Sequence, residues 1–158
     1  MKQEAQLEYA GFWLRVWASL IDTVLMMLIT VPTLLAIYGR AYWDYDGLVY
    51  GPADFVISYI LPAVLVIALW CKLGNTPGKM AIGATIVDAR TGGKPTVTQF
   101  IIRYVGYYLS LIGLFLGYVW VGFDPRKQGW HDKLAGTVVV RRLPGAGTPV
   151  RFEEAQTG

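Results

Sequence analysis

The chain has 158 residues, of which 54% are hydrophobic and only 16% are charged, and its mean hydropathy is +0.42. A soluble domain carries about 25% charged residues, so this composition indicates surface that faces lipid. The net charge is +3, and the basic residues lie at the ends of apolar runs without forming a stripe, which excludes the usual footprint of a nucleic-acid-binding protein. The one cysteine, Cys71, excludes an intramolecular disulfide and offers no zinc-binding spacing.

Three apolar segments follow one another along the chain. Residues 16–38 are apolar apart from Asp22 and a few hydroxyl groups, residues 55–71 contain no charge, and residues 100–123 contain one charge, Arg103. A helix needs about 20 apolar residues to cross the hydrocarbon layer of a bilayer. The first two segments are therefore predicted to span the membrane.

The basic residues of the connecting loops predict the orientation. The loop over residues 39–51 carries one basic residue against two acidic ones, whereas the loop over residues 72–99 carries four against one. Residues 124–142 add five more basic side chains. Since loops rich in lysine and arginine stay in the cytoplasm, we expect a protein of a bacterial-type inner membrane with both termini cytoplasmic.

The third apolar segment is predicted to break into two short helices. Thr96 and Gln99 form a capping-box pattern, so a helix starts there and runs to about Ser110. A second helix is expected from about Leu114 to Phe123. Each is too short to cross alone, so the segment is predicted to form a re-entrant or short hairpin whose turn is covered by protein, with a third span as the alternative.

Two runs rich in valine, isoleucine and threonine, residues 80–89 and residues 136–142, are predicted strands. An isolated strand is not stable, so we expect the two to pair on the cytoplasmic side. The predicted fold is an all-α membrane domain over residues 9–142, with two spanning helices, the third segment and a short cytoplasmic β pair. Residues 143–158 are rich in proline and glycine, lack periodicity and are predicted to be a mobile tail.

A charged stripe on the first helix is the main candidate for function. Arg15, Ser19 and Asp22 are separated by four and three residues, which places them on one helical face. Asp22 is expected near mid-membrane, where a carboxylate is costly unless it is paired or protonated. One interpretation is a proton or cation site. The other is a fixed ion pair with Arg15, Arg103 or a basic residue of the C-terminal region, which would hold the helices in register.

A polar turn follows the second predicted helix. Residues 74–79 (GNTPGK) superficially resemble a phosphate-binding loop, but the spacing is too short and no serine or threonine follows the lysine. Thr76, Pro77 and Gly78 instead predict a tight turn that ends the helix and places Lys79 at the lipid headgroups.

A second polar motif precedes the C-terminal strand and contains Asp124, Arg126, His131 and Asp132. Asp132 is expected to cap a short helix that ends at Gly136 or to pair with Arg126, with a salt-bridge latch closing the cytoplasmic side as the functional alternative. His131 is the one histidine of the chain, which excludes a His-rich metal centre. A Ser-His-Asp triad would lack any nucleophile signature in this sequence.

These motifs resemble those of the RDD family of membrane proteins, which is named for an arginine and two aspartates. By this resemblance the arginine is Arg15, the first aspartate is Asp22 and the second is Asp132. The matching stretches are residues 11–22 (GFWLRVWASLID), 74–88 (GNTPGKMAIGATIVD) and 129–142 (GWHDKLAGTVVVRR).

The resemblance implies membrane transport, since cation/proton antiport has been proposed for members of the family, and an intramembrane carboxylate fits that activity. We expect a small transporter that acts as a homo-oligomer, with membrane lipids, monovalent cations and protons as partners. No cofactor, metal or nucleic acid is expected, and we do not expect an enzyme. The alternative is a non-transporting membrane accessory or assembly protein whose charges only fix its shape.

Overall fold

The computed structural model describes residues 7–142, 150 and 152 of the chain. It shows the predicted fold, a mostly helical membrane architecture with a small antiparallel sheet. The helices are α1 (Phe12–Tyr38), α2 (Pro52–Phe55), α3 (Leu61–Leu73), α4 (Pro77–Ala81), α5 (Val97–Ile112), α6 (Leu116–Phe123) and α7 (Trp130–Ala135). The strands are β1 (Leu7–Tyr9), β2 (Ala84–Asp88) and β3 (Thr137–Arg142).

Two helical stretches are long and apolar enough to cross a membrane, as predicted. The first runs over Phe12–Tyr42, because a 3-10 turn extends α1, and the second over Pro52–Leu73, where a π turn joins α2 to α3. Both have a mean hydropathy of 2.2 in their most apolar window, and most of their side chains face outward. That outward apolar surface is what lipid would cover.

The second span begins with an acidic residue that the sequence did not single out. Asp54 is only 3% exposed, although it lies in the first turn after Pro52. Its carboxylate accepts hydrogen bonds from the Tyr50 backbone N–H and the Ser58 hydroxyl, both at 2.7 Å, and from the Tyr42 hydroxyl at 3.0 Å. Tyr42 and Tyr50 therefore anchor the start of the second span.

The third apolar segment forms the two predicted short helices. The Thr96–Gln99 capping box begins α5 as expected, and α5 and α6 meet at an angle of 101°. Leu114 and Phe115, at the break between the helices, have positive φ values of 53° and 63°. This left-handed turn changes the direction of the helical path by 101° over a few residues.

The sheet confirms the predicted pairing and adds a strand. Thr85 lies opposite Val140 and Val87 opposite Val138, while β1 pairs with the other edge of β3. The three-residue strand β1 was not predicted because it is too short to show alternation. Part of the expected strand over residues 80–89 was wrong, because a proline at the first position of α4 favours a helical turn there.

The position of the sheet bears on the path of the third segment. Strand β2 follows the second span and β3 follows α6, yet the two are hydrogen-bonded neighbours. An open sheet edge exposes unpaired backbone N–H and C=O groups, which do not occur in the hydrocarbon layer of a membrane. The paired strands therefore belong to one side of the membrane. This arrangement favours a re-entrant hairpin for α5 and α6 over a third crossing.

Both faces of the central strand are buried. Val139 packs with Trp70 and Phe100 on the side of the helices, and Val138 and Val140 pack with Tyr9 on the other side. The predicted mobile tail, residues 143–158, lies outside the described residues except for Val150 and Phe152, which pack against this second face. Strand β3 is thus packed on both faces by apolar side chains.

Candidate functional site

The centre of the site is a buried aspartate held by two arginines. Asp132 is fully buried, and its Oδ2 accepts a hydrogen bond from Arg15 Nη1 at 2.5 Å. Its Oδ1 is bound by Arg103 Nη1, whose side chain is only 1% exposed. One carboxylate therefore joins α1, α5 and α7, three elements that are distant in sequence.

Local structure positions Asp132 for this role. It lies in the first turn of α7, where its Oδ2 also accepts the Gly129 backbone N–H at 3.1 Å, and Gly136 ends the helix in a left-handed conformation. The predicted cap and helix end are confirmed. The Thr137 hydroxyl accepts a hydrogen bond from Arg103 at 2.7 Å and donates one to Asp132 at 3.3 Å. The ion-pair partners of Asp132 are Arg15 of α1 and Arg103 of α5 rather than the expected Arg126.

Arg15 is fully engaged away from Asp22. Its Nε donates to the Ala10 carbonyl at 3.0 Å and its Nη2 to the Lys127 carbonyl at 2.6 Å. The expectation that Arg15 or Arg103 would pair with Asp22 is therefore wrong. Side chains on a helix tilt toward its N-terminus, so Arg15 extends away from Asp22 and toward α7.

Asp22 instead binds the polar turn after the second span. Its Oδ2 accepts the Thr76 hydroxyl at 2.5 Å and its Oδ1 accepts the Gly78 backbone N–H at 2.7 Å. Gly78 approaches α1 so closely that an added Cβ would lie 2.0 Å from the Ala18 carbonyl oxygen. Among the residues described, Asp22 forms no ion pair, and its carboxylate is half-buried in the interior-facing stripe of α1.

Lys79 lies inside the protein, so its predicted place at the lipid headgroups is wrong. It is 8% exposed, its Nζ lies 3.5 Å from Thr76 Oγ1, and it faces the Trp70 ring at 6.0 Å. The α4 turn that begins at Pro77 directs this side chain inward. Burial lowers the pKa of Lys79 from its usual value, and the Arg103 and Arg15 charges lower it further against the opposing effects of Tyr107 and Asp22.

The Asp124 motif ties the end of α6 to α7. Asp124 accepts the backbone N–H groups of Arg126 and Gln128, both at 3.1 Å, and forms an ion pair with Lys133 at 2.5 Å. Burial by itself raises the pKa of Asp124, but these donors outweigh it and the pKa lies below its usual value. The Asp124 carboxylate therefore remains ionised, and its hydrogen bonds fix the segment between α6 and α7.

His131 and Ser110 lie beside Asp132 but are closed in. Ser110 Oγ lies 3.5 Å from His131 Nδ1, and His131 Nε2 lies 3.4 Å from Asp132 Oδ2. Burial, followed by the Arg103, Arg15 and Lys79 charges, holds the pKa of His131 well below its usual value. The serine is completely buried and the aspartate is already bound by two guanidinium groups. The carboxylate beside His131 is thus already occupied by the two arginines.

The structure thus brings most of the predicted site residues together in two linked groups. Arg15, Arg103 and Asp132 form one, and Asp22, Thr76, Gly78 and Lys79 form the other. Ser19 is exposed, because the buried position between Arg15 and Asp22 is taken by Ala18. Over the described part of the chain, no group of three histidine, cysteine or acidic side chains could hold a metal ion.

Comparison with known proteins identifies the family of the chain. The sequence profile of the RDD family matches residues 9–136. The chain is 31% identical over 143 residues to the uncharacterized membrane protein YteJ of Bacillus subtilis, covering 87% of this chain and 86% of the relative. It is 36% identical over 87 residues to an uncharacterized protein of Rickettsia prowazekii, covering 55% and 48%, and 27% identical over 150 residues to YxaI of Bacillus subtilis, covering 83% and 96%. No solved structure matches the chain.

Proposed function

The chain belongs to the RDD family of membrane proteins, and we propose that it is a small transporter that exchanges a monovalent cation for a proton at the Asp22 carboxylate. The observation that carries the proposal is the contrast between its two family aspartates. Asp132 is locked by two arginines, whereas Asp22 is held by a hydroxyl and one backbone N–H. Asp22 is therefore the carboxylate that a cation or a proton can reach and leave.

The energetics support this contrast. A hydrogen bond to a charged group contributes about 1.5–3 kcal/mol, which a bound cation can offset through its own attraction to the carboxylate. Breaking a buried ion pair costs about 3–5 kcal/mol, and Asp132 has two such partners. Asp22 and Thr76 also supply oxygen atoms, which are the ligands that hard cations take.

The location of Asp22 suits an exchange across a membrane. It lies on the candidate span Phe12–Tyr42, yet it is bound by the turn that leads into the sheet. Movement of that turn would open or close the carboxylate toward the side on which the sheet lies. We place this side in the cytoplasm of a bacterial-type inner membrane, with both termini there, because the adjoining loops carry the basic residues.

The proposed transporter would act as a homo-oligomer in contact with membrane lipids. The described residues form two candidate spans and one bent helix pair, and large apolar side chains such as Trp17, Leu28 and Ile112 face outward. A second copy could cover part of that surface and complete a pathway past Asp22. The partners of the proposed function are monovalent cations and protons.

Reconstitution into liposomes tests the proposal. Purified protein is incorporated with an internal pH indicator, and sodium or potassium gradients are imposed. We expect cation-driven proton flux in the wild type, its loss in Asp22→Asn, and its retention in Asp46→Asn, a matched change at an exposed acid of the opposite loop. Flux that continues unchanged in a well-folded Asp22→Asn protein would refute Asp22 as the site.

A non-transporting accessory or assembly protein is the second candidate. It is favoured by one observation, the buried ion-pair network of Arg15, Arg103 and Asp132, in which each of the three side chains is paired and three elements are held together. In that case the wild type would show no flux with either cation. Asp22→Asn would then only lower the melting temperature, because it loosens the turn at Gly78 from α1.

A further inference from the structure

A small cavity opens where the second span ends, beside the edge strand of the sheet. It has a volume of 260 Å³ and lies between the end of α3, strand β2 and the connection that leads from β2 to α5. Lys72 lines it from the end of α3 and Lys94 from that connection. Among the described residues that line the cavity none is acidic, so the two lysines give it a positive charge.

The edge of β2 holds the two segments that carry these lysines. Ile86 donates its backbone N–H to the Gly74 carbonyl at 3.2 Å, and Asp88 donates its own to the Gly93 carbonyl at 2.8 Å. The two donors are two residues apart on one strand, so the carbonyls that they bind are separated by about 7 Å along it. Lysine side chains that start this close together can reach one shared ligand.

The two lysines have no counterion within the described part of the protein. Neither Lys72 nor Lys94 forms an ion pair among the residues that the structure describes. The carboxylate of Asp88, on the adjoining strand, is already bound by the Thr91 backbone N–H at 3.0 Å and by the Gln99 side chain at 2.6 Å. Two neighbouring ammonium groups repel each other, and an anion between them would replace that repulsion with attraction.

The cavity also adjoins the apolar surface of the second span. Leu73, the last residue of that span, lines the cavity and is 53% exposed. Drug-sized ligands occupy about 300–1,000 Å³, so a cavity of 260 Å³ suits a smaller group such as a phosphate with its glycerol. A soluble anion would gain nothing from the apolar rim, whereas the acyl chains of a phospholipid would lie along the span. The position therefore favours a lipid over a free anion.

We propose that this cavity binds the headgroup of one anionic phospholipid, with its phosphate between Lys72 and Lys94. Lysine suits this role because its ammonium is a compact point charge with three donors. The Thr85 hydroxyl also lines the cavity; it accepts the Asn75 side-chain amide at 3.4 Å and can donate its own proton to the same phosphate. The inference goes beyond the exchange function proposed above and does not depend on it.

Native mass spectrometry of the full chain, released from detergent after addition of one lipid at a time, tests the inference. The wild type should retain one dioleoyl-phosphatidylglycerol and bind dioleoyl-phosphatidylcholine at least about tenfold more weakly, because choline cancels the charge of the phosphate. A lysine near the membrane surface strengthens binding of anionic lipid about fivefold. Lys72→Gln and Lys94→Gln should each weaken phosphatidylglycerol binding by about that factor, and the double variant by about thirtyfold.

Arg90→Gln is the matched control, because Arg90 is an exposed base in the same connection that does not line the cavity. It should bind phosphatidylglycerol as the wild type does. All three substituted side chains are exposed, so the variants should keep the melting temperature of the wild type.

Three results would overturn the inference. Phosphatidylglycerol bound as tightly by the double variant, or weakened as much by Arg90→Gln as by Lys94→Gln, would show attraction to surface charge in general. Equal affinity for the two lipids would show that the cavity does not select an anionic headgroup. Inorganic phosphate in millimolar excess should not displace the lipid, and displacement would assign the cavity to a soluble phosphate instead.

Discussion

The substitution Asp132→Asn tests the buried ion-pair network that Asp132 forms with Arg15 and Arg103. Asparagine has the shape of aspartate but no charge, so Arg103, at 1% exposure, would be left in the interior without compensation. Removing one partner of a buried ion pair costs about 3–5 kcal/mol. For a chain of this size each kcal/mol lowers the melting temperature by about 2–4 °C, which predicts a decrease of roughly 6–20 °C.

The assay is thermal unfolding in one detergent at a fixed scan rate, followed by tryptophan fluorescence and circular dichroism. The control is Lys133→Gln, which removes the member of the Asp124 pair that is 44% exposed. Solvent already screens that pair, so its loss should cost less than about 1 kcal/mol. If Asp132→Asn lowers the melting temperature no more than Lys133→Gln does, the Asp132 carboxylate does not compensate the charges of the two arginines. The ion-pair network would then not be what joins the helices.

Two further predictions concern the burial of His131 and the orientation of the protein in the membrane. The folded protein holds the pKa of His131 well below 6.5, so its stabilising contribution is complete above about pH 6.5 and is lost as the pH falls below that value. Unfolding measured against pH should show this decline in the wild type and a smaller one in His131→Gln. In a Cys71→Ser background, a cysteine at Lys133 should react with impermeant reagents only from the cytoplasm, and one at Arg40 only from outside. Outside labelling at Lys133 would contradict the re-entrant hairpin.

The membrane architecture could be predicted because its signals are local. Apolar length indicates a span, and the Thr96–Gln99 capping box fixes where α5 begins. The pairing of residues 84–88 with residues 137–142 could be predicted because both runs are rich in β-branched residues. Both also adjoin loops that carry mostly basic side chains. The strand at Leu7–Tyr9 was missed, since three residues show no periodicity and only the edge of β3 makes them a strand.

The residues of the site could be predicted, but not their pairing. Sequence spacing places Arg15 and Asp22 on one stripe, yet the tilt of helical side chains sends Arg15 toward Asp132. Asp22 then meets Thr76, a contact between positions 54 residues apart that no local pattern shows. The inward orientation of Lys79 likewise depends on where α4 packs. Such long-range contacts are set by tertiary packing rather than by propensity.

Asp54 shows a different limit of sequence reasoning. A carboxylate just after a proline at a helix start is an ordinary N-terminal acid, favoured there by the helix dipole. Its carboxylate is bound by the Tyr42 hydroxyl and by the Tyr50 backbone N–H, two groups that precede the helix in sequence. Nothing in the spacing of aromatic residues distinguishes rings that meet a carboxylate from rings that meet lipid headgroups.

Proton release on cation binding tests the central claim most directly. Sodium or potassium chloride is added to purified protein in weakly buffered detergent solution, and a pH indicator reports the protons set free. The account predicts about one proton released per cation bound by the wild type, and none from Asp22→Asn. Cation binding without proton release, or release that Asp22→Asn leaves unchanged, would contradict exchange at Asp22.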